Sequence, residues 1–293
     1  MPSPLGNSLR MSRPDSGPSR VEWRFLFLLG MAALAACAGG FRPLNYATSE
    51  ALFEASLQQY NNRKFENAQI GFERLTNDLS ARDPLLAPAY YYLAMSHEHR
   101  GDLLLAAQAY QRVTDGFPDD SLAPAAMLGV GRSYQKLWRR PTLDPEHGQK
   151  AVSTLRALLS SYPEAKETKE AKERIAQLEE WFAQKDYLTG VHYARVRRAV
   201  DPAIIYFKDV VTTYPNTKAA RMSWLRLHEM YTKIRWKEDA AETCTAMWKA
   251  YPGDPDVKLV CGLPTEEKKV ATPTTIPPDT IPSPAALARP GPP

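Results

Sequence analysis

A recurring stretch of sequence decides the fold of this chain. Residues 106–118 read AAQAYQRVTDGFP, and the same frame returns in residues 151–163 (AVSTLRALLSSYP), 203–215 (AIIYFKDVVTTYP) and 240–252 (AAETCTAMWKAYP). Each copy begins with a small residue, has a larger residue four positions later and ends in proline. Residues four apart share one face of a helix, and proline ends a helix because it has no N–H to donate. The frame therefore predicts one helix in each copy, ended by its proline.

A second patterned helix precedes each copy. Trp224, Leu227 and Tyr231 lie at i, i+3 and i+7, which is one face of a helix. Met127 and Tyr134 are seven positions apart, as Trp224 and Tyr231 are. Helix pairs with aromatic, small and proline positions of this kind are the pattern of tetratricopeptide repeats, whose length is usually about 34 residues. We therefore predict an all-α, tetratricopeptide-like α-solenoid of about five helix pairs.

The frame extends to a weaker first copy at Ala68 and Phe72, and it predicts ten main helices without strands. Stacked helix pairs bury a continuous core and leave a curved groove. After the last copy, prolines, threonines and serines replace the helical pattern. We predict a solenoid over residues 47–260 and a disordered, proline-rich tail over 261–293. The predicted helices span roughly 48–61, 64–78, 86–100, 103–116, 121–137, 146–161, 166–197, 202–213, 217–233 and 236–250.

The N-terminus has the features of an export signal. Residues 25–36 read FLFLLGMAALAA, an apolar run shorter than the roughly 20 residues that span a bilayer. Arginines precede it and small residues end it, as in a secretory signal peptide. The run closes on Leu34-Ala35-Ala36-Cys37, which resembles the lipobox of bacterial lipoproteins. The resemblance implies removal of residues 1–36 and lipidation of Cys37, palmitate included; the alternative is an ordinary cleaved signal beside a bystander cysteine.

Lipidation of Cys37 determines the expected location of the chain. The resemblance implies three acyl chains, and stable anchoring takes about two signals. We expect the chain to lie on the periplasmic face of the outer membrane, held through a tether over residues 37–46. Either Met1 or Met11 is the start, since the leader is long before its apolar run.

The composition and motifs exclude several classes of function. Lys and Arg number 37 against 33 Asp and Glu, a formal net charge of +4, which is too even for a nucleic-acid-binding protein with a basic stripe. His97-Glu98-His99 looks like a metal motif, but side chains two apart on a helix point away from each other. Gly129-Val130-Gly131 lies inside a helical pattern, so it predicts close helix contact rather than a phosphate loop. We predict no enzyme activity, no cofactor, no metal and no nucleic-acid partner.

Two cysteines lie at the end of the repeats. Cys244 takes the larger-residue position of the last copy, and Cys261 follows it. In an oxidising periplasm they can form a disulfide, and closing a loop of this length stabilises by about 3 kcal/mol in the chain-entropy model. The alternative is one buried and one exposed thiol, and the sequence leaves both open.

A lipobox followed by five tetratricopeptide-like units resembles the BamD (ComL) family of outer-membrane assembly lipoproteins. The resemblance covers about residues 47–252, and its most specific part is WFAQKDY (181–187), then HYA (192–194) and the copy at 203–215. The sequence departs from the family in two places. The first helix pair lacks the terminal Tyr-Pro, and the chain carries a proline-rich tail. The resemblance implies that the chain binds unfolded outer-membrane β-barrel proteins and the periplasmic domains of a BamA-like barrel insertase, and promotes folding and membrane insertion.

The predicted peptide-binding groove lies on the first helices of the N-terminal pairs. Arg132 is predicted to pair with a peptide carboxylate, whereas Phe53 and Leu57 can equally belong to the core between repeats. Two other functions share the fold: a periplasmic scaffold for cell-wall synthesis or envelope constriction, and a pilotin for a secretin or pilus. The partner that co-purifies separates them. Helical phase gives these groove candidates: Phe53, Leu57, Tyr60, Asn61, Tyr91, Met95, His99 and Arg132.

Overall fold

The computed structural model of the chain describes residues 41–262. This range contains eleven α-helices and no strand, so the all-α prediction is confirmed. None of these helices is both long and apolar enough to cross a bilayer. Cys37, the predicted leader and nearly all of the predicted tail lie outside the described residues. The helices are α1 (Ser49–Asn61), α2 (Phe65–Asp78), α3 (Leu86–Arg100), α4 (Leu103–Gly116), α5 (Ala123–Leu137), α6 (Glu146–Ser161), α7 (Thr168–His192), α8 (Val200–Thr213), α9 (Lys218–Lys233), α10 (Lys237–Ala250) and α11 (Pro255–Cys261).

The described chain divides into two units, residues 41–178 and 179–262. In the first unit, successive helices from α1 to α6 pack against one another, and α1 also contacts α3. In the second unit, α8 to α11 pack in the same sequential way. Within each unit, neighbouring helices therefore pair in the order that the repeat frame predicts.

The residues of the frame form the core of both units. The alanine that begins each copy lets two helices approach closely, and the larger residue four positions on fills the space beneath. In the last copy, Ala240 and Cys244 at these positions are only partly buried. In the four earlier copies both positions are fully buried, at Ala68, Phe72, Ala106, Tyr110, Ala151, Leu155, Ala203 and Phe207.

An aromatic residue just before a proline ends four of the helices. Each of these aromatic residues donates its backbone N–H to the carbonyl four residues earlier, and the proline after it has no N–H to continue the ladder. The second helix of the first pair, α2, lacks this proline and ends instead with Leu79 as its C-cap. The four C-caps are Phe117, Tyr162, Tyr214 and Tyr251.

Two glycines bring α5 close to its neighbours. A Cβ atom at Gly129 would lie 2.6 Å from the ring of Tyr110, and one at Gly131 would lie 2.6 Å from the side chain of Leu155. Neither position has room for a side chain. The glycines therefore serve close helix contact, as the sequence predicts.

The predicted helices differ from the structure mainly around and after the long seventh helix. The helix expected over 166–197 ends at His192, and a π-helical turn, Tyr193–Arg197, follows it. No residue of that turn is fully buried, although Tyr193 and Ala194 pack against the core of the second unit. Helix α8 begins at Val200 instead of 202. Helix α11 was not predicted, since seven residues are too few to display a helical period.

Candidate functional site

Apart from Phe53 and Leu57, the predicted groove residues lie in the first unit, on the first helices of three successive pairs. Tyr60 and Asn61 end α1, Tyr91, Met95 and His99 lie along α3, and Arg132 lies in α5. Asn61 and His99 are exposed, and the other four are partly exposed. Since α1 contacts α3 directly, the side chains of these helices meet on one surface.

Aromatic rings from α1 and α3 form a continuous group, here called the aromatic surface: Tyr60, Tyr91, Tyr92 and His99. The ring centroids of Tyr60 lie 5.6 Å from Tyr92 and 5.7 Å from His99, and those of Tyr91 and Tyr92 are 5.8 Å apart. Phe65 stacks on His99 at 4.4 Å and holds that imidazole in place. Partly exposed rings at such spacings offer apolar area and polar edges to a peptide.

Phe53 and Leu57, the other two groove candidates, are not members of the aromatic surface. Phe53 is 9% exposed, and its ring packs edge-on against Phe72 at 5.6 Å and Tyr92 at 6.1 Å. Phe53 is therefore a core residue beneath the aromatic surface. Leu57 is partly buried.

A charged network lies beside the aromatic surface, with Glu98 at its centre. Arg132 donates from Nε and Nη2 to the two carboxylate oxygens of Glu98, both at 2.7 Å. Lys136 Nζ donates to Glu98 Oε1 at 2.8 Å, and the Tyr110 hydroxyl lies 3.1 Å from Oε2. Tyr110 in turn lies under Tyr91, with ring centroids 5.6 Å apart, so the network joins the aromatic surface.

Arg132, predicted to pair with a peptide carboxylate, is already paired within the chain. Its guanidinium already makes a two-pronged bond with Glu98, and such forks satisfy the preferred geometry of the group. Lys136 is the more accessible cation, with 49% of its side chain exposed against 25% for Arg132. Two cations against one carboxylate leave the network with one excess positive charge.

The network keeps Glu98 ionised. Burial alone would raise the pKa of this carboxyl, but the hydrogen bonds and charges of Arg132 and Lys136 outweigh it and lower the pKa to about 2. Burial also raises the pKa of the Tyr60 and Tyr91 hydroxyls. Both tyrosines are therefore neutral hydrogen-bonding groups at neutral pH, and the positive charge of the site comes from its two cations.

Sequence reasoning missed Glu98 and Lys136 as members of the site. Lys136 lies one helical turn after Arg132, so their spacing signalled a shared face. Glu98 stands between His97 and His99, and that local spacing gives no sign that its carboxylate meets a cation of another helix pair. In the structure, His97 is 5% exposed and His99 is exposed on the aromatic surface, which agrees with the prediction that the two histidines point apart.

The second unit holds the cysteine pair and an ionic fork. Cys244 of α10 and Cys261 of α11 are bonded in the structure. Arg221 of α9 donates to both carboxylate oxygens of Asp254, at 2.7 and 2.8 Å, and to Asp256 at 2.6 Å. We call these three residues the Arg221 fork. Both features hold α11 against the helices before it.

The segment most specific to the family resemblance packs inside the second unit. Phe182 stacks on Tyr214, with centroids 6.4 Å apart, and Tyr187 lies 5.8 Å from Phe207. Tyr193 of the π-helical turn stacks on Tyr206 at 5.6 Å. These aromatic residues connect α7 and the turn to α8 and thus serve packing.

Comparison with known structures finds tetratricopeptide proteins at low identity. A repeat protein from Parabacteroides merdae is 15% identical over 73% of this chain and 70% of its own, with a TM-score of 0.33. The TPR2AB domain of yeast Sti1 is 12% identical over 73% and 81%, with a TM-score of 0.40. A protein from Thermus thermophilus is 18% identical over 72% and 96%, with a TM-score of 0.33. No conclusion about this chain rests on these similarities.

Comparison with protein families shows which family the chain belongs to. No curated protein sequence matches the chain. The family model YfiO, described as an outer membrane lipoprotein, matches residues 46–246. That range runs from α1 to most of α10 and covers four copies of the frame and part of the fifth. The chain therefore belongs to the YfiO family of outer membrane lipoproteins, the family of BamD.

Proposed function

We propose that this chain is the lipoprotein component of a β-barrel assembly machinery. Lipid on Cys37 anchors it to the periplasmic face of the outer membrane. Its first unit binds unfolded outer-membrane proteins, and its second unit binds the periplasmic domains of a BamA-like insertase. Membership of an outer membrane lipoprotein family supports the proposal, and so does the absence of a catalytic motif from the sequence.

The observation that carries the proposal is the aromatic surface with an excess positive charge beside it. Strands of outer-membrane barrels alternate apolar and polar residues and have aromatic girdles at both membrane interfaces. An unfolded segment of such a protein therefore presents aromatic side chains at regular spacing. Tyr60 and Tyr91 offer rings to pack against them, and Lys136 offers an ammonium group to a terminal carboxylate.

The binding test uses a peptide from the C-terminus of a barrel protein and a double variant, Tyr91→Ala with Lys136→Gln. This pair removes one ring and the accessible cation but keeps the bond between Arg132 and Glu98. Loss of an interface anchor costs more than about 1 kcal/mol, so we expect the affinity to fall about tenfold or more. Fluorescence anisotropy of a labelled peptide measures it.

The matched control is Tyr46→Ala with Lys150→Gln. The Lys150 side chain is 49% exposed, like that of Lys136, and Tyr46 is 37% exposed, but neither belongs to the aromatic surface or the charged network. The control is expected to bind the peptide as the unchanged chain does. Equal affinity of the test variant and the control would reject this surface as the peptide site.

The second unit offers a surface for the insertase. Leu259 and Val260 of α11 are 84% and 40% exposed, and they line a surface cavity together with Met222 and Leu225 of α9. Exposed apolar patches of this kind commonly bind partner proteins. We expect Leu259→Asp to reduce recovery of the insertase in a crosslinked pull-down from envelopes.

The same pull-down separates the assembly role from its rivals. Recovery of a large outer-membrane barrel with periplasmic repeats supports assembly. A peptidoglycan-binding lipoprotein in its place would indicate a scaffold for envelope constriction, and a secretin would indicate a pilotin. Mass spectrometry of the crosslinked material identifies the partner.

A further inference from the structure

Three side chains from three helices of the second unit meet at one point. His228 lies in α9, Cys244 in α10 and Cys261 at the end of α11. One ring nitrogen of His228 and the two cysteine sulfurs all lie within 4.8 Å of one another. Because the sulfurs are bonded to each other in the structure, neither is available to a metal until the disulfide is reduced.

We propose that the reduced chain binds one zinc ion through His228, Cys244 and Cys261, so that a disulfide and a zinc site are alternative states of the same residues. This inference lies outside the assembly role and does not depend on it. It also departs from the expectation, drawn from the sequence, that the chain has no metal site. Imidazole and thiolate are the ligands that zinc prefers in proteins.

The spacing of the three side chains suits zinc. Zinc binds nitrogen at about 2.0 Å and thiolate sulfur at about 2.3 Å, so a tetrahedral ion holds its ligand atoms about 3.5 to 3.8 Å apart. The imidazole nitrogen needs only a small shift to reach that spacing, and the sulfurs separate to it by side-chain rotation. Three protein ligands leave the fourth tetrahedral position to water.

Contacts other than the disulfide keep the three side chains together after reduction. The Arg221 fork joins α9 to the start of α11 with three bonds of 2.6 to 2.8 Å. Asp254 also caps α11 by accepting from the N–H groups of Asp256 and Val257, and the Val257 side chain is fully buried. Cys261 therefore stays beside Cys244 when the covalent link opens.

An ion also has a route to this point from the surface. His228 lines a surface cavity of about 670 Å³ together with Leu225, Leu259 and Val260. A metal site needs such an entry path as well as its ligands. The cavity thus connects solvent to the imidazole without any opening of the helices.

The exchange between the two states balances in electrons and protons. A dithiol reductant gives two electrons and two protons to the disulfide between Cys244 and Cys261 and becomes a disulfide itself. Zinc then displaces the two thiol protons, which pass to solvent, and binds both thiolates and a lone pair of His228. A dithiol oxidoreductase is the class of protein that would supply the electrons.

The experiment uses the purified full chain with Cys37→Ser, so that only two thiols are present. The chain is reduced with a phosphine under nitrogen, and zinc is titrated in competition with a chromophoric chelator. We expect one zinc ion per reduced chain and none per oxidised chain. Cobalt used as a probe is expected to show the charge-transfer band of thiolate ligation and the visible bands of a tetrahedral ion.

Two variants identify the histidine ligand. His228→Asn is expected to weaken zinc binding by about tenfold or more, whereas His192→Asn, an exposed histidine of the same unit, is expected to leave it unchanged. Far-UV circular dichroism checks that both variants stay helical. A reduced chain that binds no zinc, a cobalt complex without the thiolate band, or equal affinity in the two variants would overturn the proposal.

Discussion

The copy of the repeat frame in α6 of the first unit and the copy in α10 of the second unit are held in place in different ways. In the first unit, the small and larger residues of the frame are fully buried, as Ala151 and Leu155 show in α6. In the second unit, α10 buries only Thr243 and Met247, and Cys244 at the larger-residue position is partly exposed. The disulfide and the Arg221 fork then hold α11 in place.

This difference shows how a helix with few apolar contacts is stabilised. Each helix pair of a repeat protein buries its apolar face against its neighbours. Within the described residues no further pair follows α10, so its outer face receives only the short helix α11. A covalent bond and an ionic fork there supply the stability that the apolar contacts of α6 supply in the first unit.

The largest expected effect compares one frame position in both units. Leu155→Ala empties a fully buried site and should lower the free energy of unfolding by about 2 to 5 kcal/mol. Cys244→Ala, with the disulfide reduced in both chains, removes one small and partly exposed sulfur and should cost less than about 1 kcal/mol. Urea unfolding followed by circular dichroism measures both.

Ile205→Ala is the control for this pair, because Ile205 is 66% exposed and leaves no cavity when shortened. It should have little effect on unfolding. If Cys244→Ala costs as much as Leu155→Ala, apolar packing is equal at the two copies and the comparison is wrong.

The second-largest expected effect is the loss of stability when the disulfide between Cys244 and Cys261 is reduced. Reduction in the presence of a chelator should destabilise the second unit by about 3 kcal/mol in the chain-entropy model. Hydrogen exchange in α10 and α11 should then accelerate on the order of a hundredfold, while exchange in α3 to α6 stays the same. A chain with Cys244→Ser and Cys261→Ser should not respond to the reductant. Acceleration in both units alike would mean that the bond does not act locally.

The smallest effect is the acid response of the two units. The pKa of Glu98 is lowered from 4.5 to about 2, so its ionic contribution is present above about pH 5 and is lost as the pH falls towards 2. For a group this buried the loss should be on the order of 2 kcal/mol. Glu98→Gln should flatten this dependence in the first unit only, as measured by hydrogen exchange between pH 5 and 2.

Asp254 provides the counterpart in the second unit. Hydrogen bonds from Arg221 and from the N–H groups at the start of α11 together lower its pKa to about 2, against the opposing effect of burial. Its contribution to stability is therefore also lost as the pH falls towards 2. Asp254→Asn should flatten the acid response of the second unit and leave that of the first unchanged. A variant that alters both units would show that the two responses are coupled.

The sequence predicted the candidate site only in part, and the errors share a cause. Helical phase placed Tyr60, Tyr91 and His99 on one surface, because phase is a local property of each helix. It did not show that Arg132 is already bonded, since its partner Glu98 lies in another helix pair. Phase alone also cannot separate a core ring such as Phe53 from a surface ring.

The sequence by itself determined the helix pairs, their order and the residues that end them. Apolar spacing and proline act within a few residues of the backbone, so the bounds of most helices follow from them. Only the tertiary structure decided which distant side chains meet: Glu98 with Arg132 and Lys136, Arg221 with Asp254, and His228 with the two cysteines. Such meetings depend on how helices pack, and no local pattern in the chain encodes the distance between residues more than 15 positions apart.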